Sequence, residues 1–162
     1  MRLPILEKLE DQLQKSEREL KVDIPKALKT AADHGDLSEN AEYKAAKERQ
    51  MFLESRISQL QKRISEVTSI NINQIPKDRS GLGSTLELEE INSRKLRIFK
   101  LVFPEEISPE EGRISPGSPI GRALLGKQEG DKVTINFADK PCNFEIIRMT
   151  TIHEELRNSN GR

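Results

Sequence analysis

Apolar residues in the first part of the chain recur at helical spacing. One series runs Leu6, Leu9, Leu13, Leu20, Ile24, Ala27 or Leu28, and Ala31. A second runs Ala46, Leu53, Ile57, Leu60, Ile64 and Val67. From Leu53 onward the steps alternate between four and three, which is the seam of a heptad repeat. The two series are separated by Asp33-His34-Gly35-Asp36, and a glycine flanked by polar residues between two helical patterns marks a tight helix–helix turn. The pattern therefore predicts an antiparallel helical hairpin over residues 1–70. Its arms have about 30 residues each and extend about 45 Å. Pro25 lies inside the first arm, where it removes a backbone donor and crowds the preceding turn, so a kink or break is expected near Val22–Ile24.

Periodicity is lost over residues 71–82, which gather Asn, Pro, Ser and Gly and read as a linker. Residues 83–157 change character again. GSTLELEEI (83–91), RKLRIFKLVF (94–103), KVTINF (132–137) and CNFEIIRMTTI (142–152) alternate or cluster strand formers. ISPGSPIGRALLGKQEGD (114–131) lies among them, with a short helix expected at Ile120–Leu125. The fold class is thus α+β: a helical hairpin followed by a small, mostly antiparallel β domain with one short helix. Residues 158–162 are expected to form a disordered tail.

Composition sharpens this picture. The chain has 162 residues, 34% of them hydrophobic and 33% charged, with 27 Lys+Arg against 27 Asp+Glu. A thin two-helix seam with much exposed surface accounts for that charge. Net neutrality argues against a globally basic nucleic-acid coat protein. The single cysteine excludes a disulfide framework and a Cys-based zinc site. No apolar run approaches the roughly 20 residues of a membrane-spanning helix. The opening MRLPILEKLEDQ has no signal-peptide core, so a soluble, cytoplasmic protein without a membrane partner is expected.

Neutrality hides a local field. Asp33, Asp36, Glu39 and Glu42 crowd the hairpin tip (33–42), with no Lys or Arg among them. Two readings fit Asp36 and Glu39. Their three-residue spacing is an acidic variant of a capping box, and carboxylates favour a helix N-terminus. They are also two hard oxygen ligands. Mg²⁺ wants six and keeps its waters when protein ligands are few, so two exposed carboxylates would matter only where another molecule completes the site. Behind the tip, Lys26 and Lys29 precede it and Lys44, Lys47 and Arg49 follow it. These cations suit either RNA phosphates or the solvated face of a helix with ion pairs along it.

At this point the sequence resembles a known family. GDLSENAEYKAAKERQ (35–50), followed by RISQLQKRI (56–64), looks like the tip and second helix of the bacterial transcript-cleavage factors GreA and GreB. Gly83-Ser84 and ISPGSPIGRALLGKQEGDKVTI (114–135) resemble their C-terminal domain. The likeness spans nearly the whole chain in the same order, and it is nearer to GreA than to GreB. It implies an N-terminal coiled-coil hairpin and an FKBP-like β domain that docks on bacterial RNA polymerase. It also implies insertion of the tip into the polymerase secondary channel. There Asp36 and Glu39 would help hold a Mg²⁺ shared with the polymerase, which then hydrolyses the nascent RNA at the 3′ end of a backtracked complex. The chain would be a cofactor of that reaction rather than an enzyme.

By the same resemblance Lys44, Lys47 and Arg49 are candidate RNA contacts, and Ser38, Asn40, Ser118, Pro119, Ile120 and Gly121 are candidate polymerase contacts. A monomer is expected. Ala32 departs from the arginine the family often carries there, and Phe103-Pro104-Glu105-Glu106 departs from its usual loop. Two rivals remain: a homologue that occupies the channel without stimulating cleavage, and a hairpin chaperone or prolyl isomerase. Leu37 is the only large apolar residue at the tip, which speaks against a chaperone hairpin. His34, in the turn, is expected to be exposed. Cys142 is expected on a strand, and His153 is expected near a frayed end without a partner.

Overall fold

A computed structural model describes residues 2–35 and 40–161. The chain divides into two compact units, Met1–Ile70 and Asn71–Arg162.

The first unit is an antiparallel helical hairpin. Its first arm consists of α1 (Pro4–Arg18), a π-helical turn (Glu19–Asp23) and α2 (Ile24–Asp33), and its second is α3 (Ala41–Thr68). α1 and α2 both pack on α3. The fully buried residues of α3 are Ala46, Leu53, Leu60 and Val67, one per heptad. Ile57 and Ile64, the other heptad positions, are half-buried. On the facing arm, Ile5, Leu6 and Leu9 are buried at one end and Ile24 and Ala31 at the other. Between Leu9 and Ile24 no side chain is fully buried, although Leu13 and Leu20 are partly covered.

The first arm does not break at Pro25. Its ring would crowd the carbonyl of Lys21 in a regular α-helix. The turn before it instead widens to π geometry, with the Ile24 N–H bonding the Glu19 carbonyl five residues back. Ile24 itself keeps helical angles, φ −64° and ψ −47°. A π turn is a local solution that admits proline while helical direction resumes on its far side.

The second unit is a five-stranded sheet in the order β3-β2-β1-β5-β4. Its strands are β1 (Thr85–Glu90), β2 (Leu96–Leu101), β3 (Arg113–Ile114), β4 (Lys132–Phe137) and β5 (Lys140–Thr150). The pairs β1–β2, β1–β5 and β4–β5 are antiparallel. The short β3 runs parallel to β2, so the sheet is mixed but mostly antiparallel, as expected. β4 and β5 are joined through Ala138 and Asp139 at φ 47° and 66°, the left-handed pair that a two-residue hairpin turn requires. Helix α4 (Pro119–Leu124) packs over β4, and its Leu124 joins Leu86, Leu88, Phe99, Leu101, Ile114, Val133, Ile135, Phe144 and Ile146 in one core.

Three expectations need correction at the edges of this unit. Residues 71–82 are not a bare linker. They hold a 3₁₀ turn (Ile72–Gln74), and the buried Ser80 donates its hydroxyl to the Leu124 carbonyl at 2.5 Å. Residues 158–160 are not a disordered tail but the last turn of α5 (Ile152–Asn160), which Thr151 caps by accepting from the Glu154 N–H. His153 is also not frayed. It is 8% exposed, and its Nε2 lies 2.7 Å from the Ile75 carbonyl.

Candidate functional site

The candidate site is built where α2 ends and α3 begins. Asp36, Ser38 and Glu39 lie outside the described residues, so the geometry here is that of the two helix ends carrying them. The N-cap of α3 is Asn40, whose Oδ1 accepts from the Glu42 and Tyr43 N–H groups at 3.0 and 3.2 Å. The same side chain donates from Nδ2 to the Ala31 carbonyl in the last turn of α2, at 2.5 Å. One residue thus caps the second helix and ties it to the first. A cap is needed because the first four N–H groups of a helix have no partner within it. Asn40 performs this task for α3, the role weighed above for the Asp36–Glu39 pair.

A second contact crosses the tip: His34 Nδ1 lies 3.1 Å from Glu42 Oε2, with both side chains more than half exposed. Glu42 is therefore partnered within the hairpin. Among the described residues no group of three or more His, Cys, Asp or Glu could hold a metal.

The basic residues behind the tip separate into two kinds. Lys44 and Lys47 are exposed, with the Lys47 ammonium 5.8 Å from the Tyr43 ring centroid and 3.4 Å from Gln50 Oε1. Arg49 is held across the hairpin: its Nε and Nη2 donate to the two carboxylate oxygens of Glu19 at 2.8 and 2.9 Å. The Phe52 ring covers the same guanidinium at 5.0 Å. The hydrogen bonds from Arg49 hold the Glu19 carboxyl below its ordinary value, and reciprocally raise that of Arg49. One heptad further from the tip on both arms, Arg56 donates to Gln12 at 3.2 Å.

Glu19 was not among the residues the sequence singled out. The available signal was its place in an antiparallel hairpin centred near Gly35, where an acid on one arm faces a cation on the other.

In the second unit, the segment expected to touch a polymerase has tasks within the fold. Ser118 caps α4, accepting from the Gly121 N–H at 3.0 Å and donating its hydroxyl to the Ser115 carbonyl at 2.6 Å. Pro119 opens the helix, where a missing N–H costs nothing, and it is exposed. Ile120 packs against the core and Gly121 is buried. Phe103 is buried, and Pro104–Glu106 forms a 3₁₀ turn.

Comparisons with known proteins agree along most of the chain. Residues 5–68 match the N-terminal domain of a transcription elongation factor family, and residues 75–151 match its C-terminal domain, designated GreA/GreB. The chain is 39% identical over 147 residues to transcription elongation factor GreA of Thermodesulfovibrio yellowstonii, covering 89% of this chain and 91% of that protein. It is 38% identical to GreA of Nitratidesulfovibrio vulgaris, covering 90% of this chain and 92% of that protein. Among solved structures, the GreA factor homolog 1 (Gfh1) protein of Thermus thermophilus aligns at 26% identity and a TM-score of 0.42, covering 90% of this chain and 94% of that one.

Proposed function

The chain belongs to the GreA/GreB family of transcription elongation factors, and from that membership we propose that it acts on bacterial RNA polymerase in the cytoplasm. It inserts its hairpin tip into the secondary channel and stimulates cleavage of backtracked nascent RNA by the polymerase. One observation carries this reading: both family domains match in order, over residues 5–68 and 75–151, and the first coincides with the helical hairpin.

The tip chemistry supports the same reading. Asp36 and Glu39 offer hard carboxylate oxygens, which suit Mg²⁺ in type and fall short of six in number. Such a pair is a contribution to a shared site, with the remaining ligands supplied by the polymerase. When bound there, the ion would supply Lewis acidity and an activated water. This chain's own part is to carry the two carboxylates on the loop between α2 and α3, a loop spanned by the Asn40–Ala31 and His34–Glu42 contacts. Lys44 and Lys47 stand behind the tip as contacts for RNA phosphates. Pro119 is the exposed member of the segment assigned to polymerase docking. Hydrolysis is the polymerase's reaction, and this chain is its cofactor.

The test is RNA cleavage in stalled, backtracked elongation complexes with bacterial RNA polymerase. The wild-type chain is expected to accelerate cleavage. Asp36→Ala and Glu39→Ala are expected to abolish the acceleration while still competing with wild type for the polymerase. Cleavage at the wild-type rate by the double variant would refute the metal role. A wild-type chain that binds without accelerating cleavage would instead be an occupant of the channel.

A further inference from the structure

The bidentate Glu19–Arg49 contact joins the arms where the first arm contributes no fully buried side chain. Along the first arm, the stretch between Leu9 and Ile24 has no fully buried side chain. On the facing arm Leu53 is buried between Arg49 and Arg56, so the seam there is apolar mainly from one side, and polar contacts share in fixing how far one arm is advanced along the other. The cross-arm polar contacts Gln12–Arg56 and Glu19–Arg49 fall in this interval, one heptad apart on both arms. Glu19 is moreover the first residue of the π turn, whose closing bond runs from the Ile24 N–H to the Glu19 carbonyl. Beyond this point the first arm runs from Glu19 to Ala31 and the second from Arg49 back to Asn40, so the first arm spends more residues before the two meet at the Asn40–Ala31 bond. A π turn absorbs part of such an excess, because it inserts about one extra residue into the turn.

We propose that Glu19 and Arg49 are positioning residues, and that their two-bond clamp at the mouth of the π turn sets the register of the arms and so the placement of the tip carboxylates. Arg49 thereby acts through Glu19 rather than on RNA phosphate. The guanidinium fork suits this task because two parallel bonds fix orientation as well as distance. Phe52 covers the guanidinium and limits its alternatives. The clamp is partly exposed, at 30% for Glu19 and 49% for Arg49. Its effect should therefore fall on alignment more than on global stability.

The inference rests on the cleavage function proposed above, and two readouts on the full-length chain separate them. In the first, spin labels at the exposed positions Ala32 and Ala45 report the distance between the arms near the tip, without polymerase. A narrow distribution is expected in the parent, a broadened or shifted one in Glu19→Ala and in Arg49→Glu, and a narrow one again in the charge-swapped pair Glu19→Arg/Arg49→Glu.

The second readout is cleavage at saturating factor. A misplacement of roughly 1 Å costs about a hundredfold, so each single variant should lose at least about tenfold in maximal rate. The half-saturating concentration should stay unchanged, and the swapped pair should recover most of the rate. Unchanged distances in Glu19→Ala, or a swapped pair that regains neither distance nor rate, would overturn the proposal. Full activity in Glu19→Ala beside a dead Arg49→Glu would place Arg49 on the RNA and overturn it equally. A parent chain that fails to stimulate cleavage would refute the functional reading alone, since the distances test the register without it.

Discussion

Replacing Gly121 with alanine sets two effects of known sign against each other. In favour of alanine is helix propensity: Gly121 is the third residue of α4, and a helical glycine is about 1 kcal/mol worse than alanine. Against it is space. A β-carbon at this position would sit 2.0 Å from the Ser115 carbonyl oxygen and 2.9 Å from both the Ser115 carbonyl carbon and Ser118 Oγ. The obstacle is backbone, and it is pinned, because the Ser115 oxygen accepts from both the Ser118 N–H and its hydroxyl.

Relief requires α4 or the 115–118 loop to move by more than about 1 Å, given that carbon–oxygen contacts normally begin near 3.3 Å. Overpacking of this kind costs about 1–3 kcal/mol. Losing the two bonds at Ser115 adds about 1 kcal/mol each. After the propensity gain is subtracted, Gly121→Ala should destabilise the second unit by about 2–4 kcal/mol.

Amide hydrogen exchange of the β1–β5 sheet in a urea series is the suitable assay, since the single tyrosine, Tyr43, lies in the hairpin and is blind to this unit. The midpoint should fall with the slope unchanged. Gly117→Ala serves as the control, because its β-carbon would meet only Ser115 Oγ, at an ordinary 3.6 Å. A Gly121→Ala protein as stable as the parent, or more stable, would refute the reasoning.

Further outcomes follow from the hairpin. Asn40→Ala should cost about 1–2 kcal/mol of hairpin stability through loss of the α3 cap. Asn40→Asp, which keeps the acceptors but not the donor to Ala31, should retain helix content by circular dichroism while loosening the tip in hydrogen exchange. Leu60→Ala should cost about 2–5 kcal/mol in thermal or urea unfolding, because Leu60 is 2% exposed on a seam with one fully buried α3 residue per heptad. The Glu19 clamp should show a pH signature. Its carboxyl is held below its ordinary 4.5 by the hydrogen bonds from Arg49, so its contribution is fully present above that value and lost as pH falls through the lowered one. The stability gap between wild type and Glu19→Gln should therefore be constant near about pH 7 and close in strong acid, and a gap that widened on acidification would contradict the assignment.

How much of this was legible depended on the range of the interaction. Leu53, Leu60 and Val67 announce their seam because heptad spacing is local and repeated. The strands at 85–90 and 132–137 announce themselves by alternation. β3 is two residues long and leaves no pattern. The strand-forming run ending Thr150-Thr151-Ile152 masked α5, although Thr151 followed by Glu154 carried a capping signal. At Pro25 local chemistry predicted trouble correctly but not its resolution, because a π turn competes with a kink on small differences in packing. At the tip, Asp36, Ser38 and Asn40 are all competent caps, and which one serves α3 depends on where the loop leaves α2. Glu19–Arg49 was missed for a related reason: the hairpin pattern places acids opposite cations, but choosing this pair, 30 residues apart, needs the exact arm register.

The regular placement of Ala46, Leu53, Leu60 and Val67 makes the length of the hairpin a quantised variable. Removing or adding seven residues in each arm would change its reach by about 10 Å and leave every remaining seam contact in phase. A change of three or four residues would instead turn the tip about the long axis. Depth of penetration in such a device is adjustable only in whole steps. The fine adjustment, smaller than one heptad, falls to the few residues of the π turn, where the count on one arm can slip against the other.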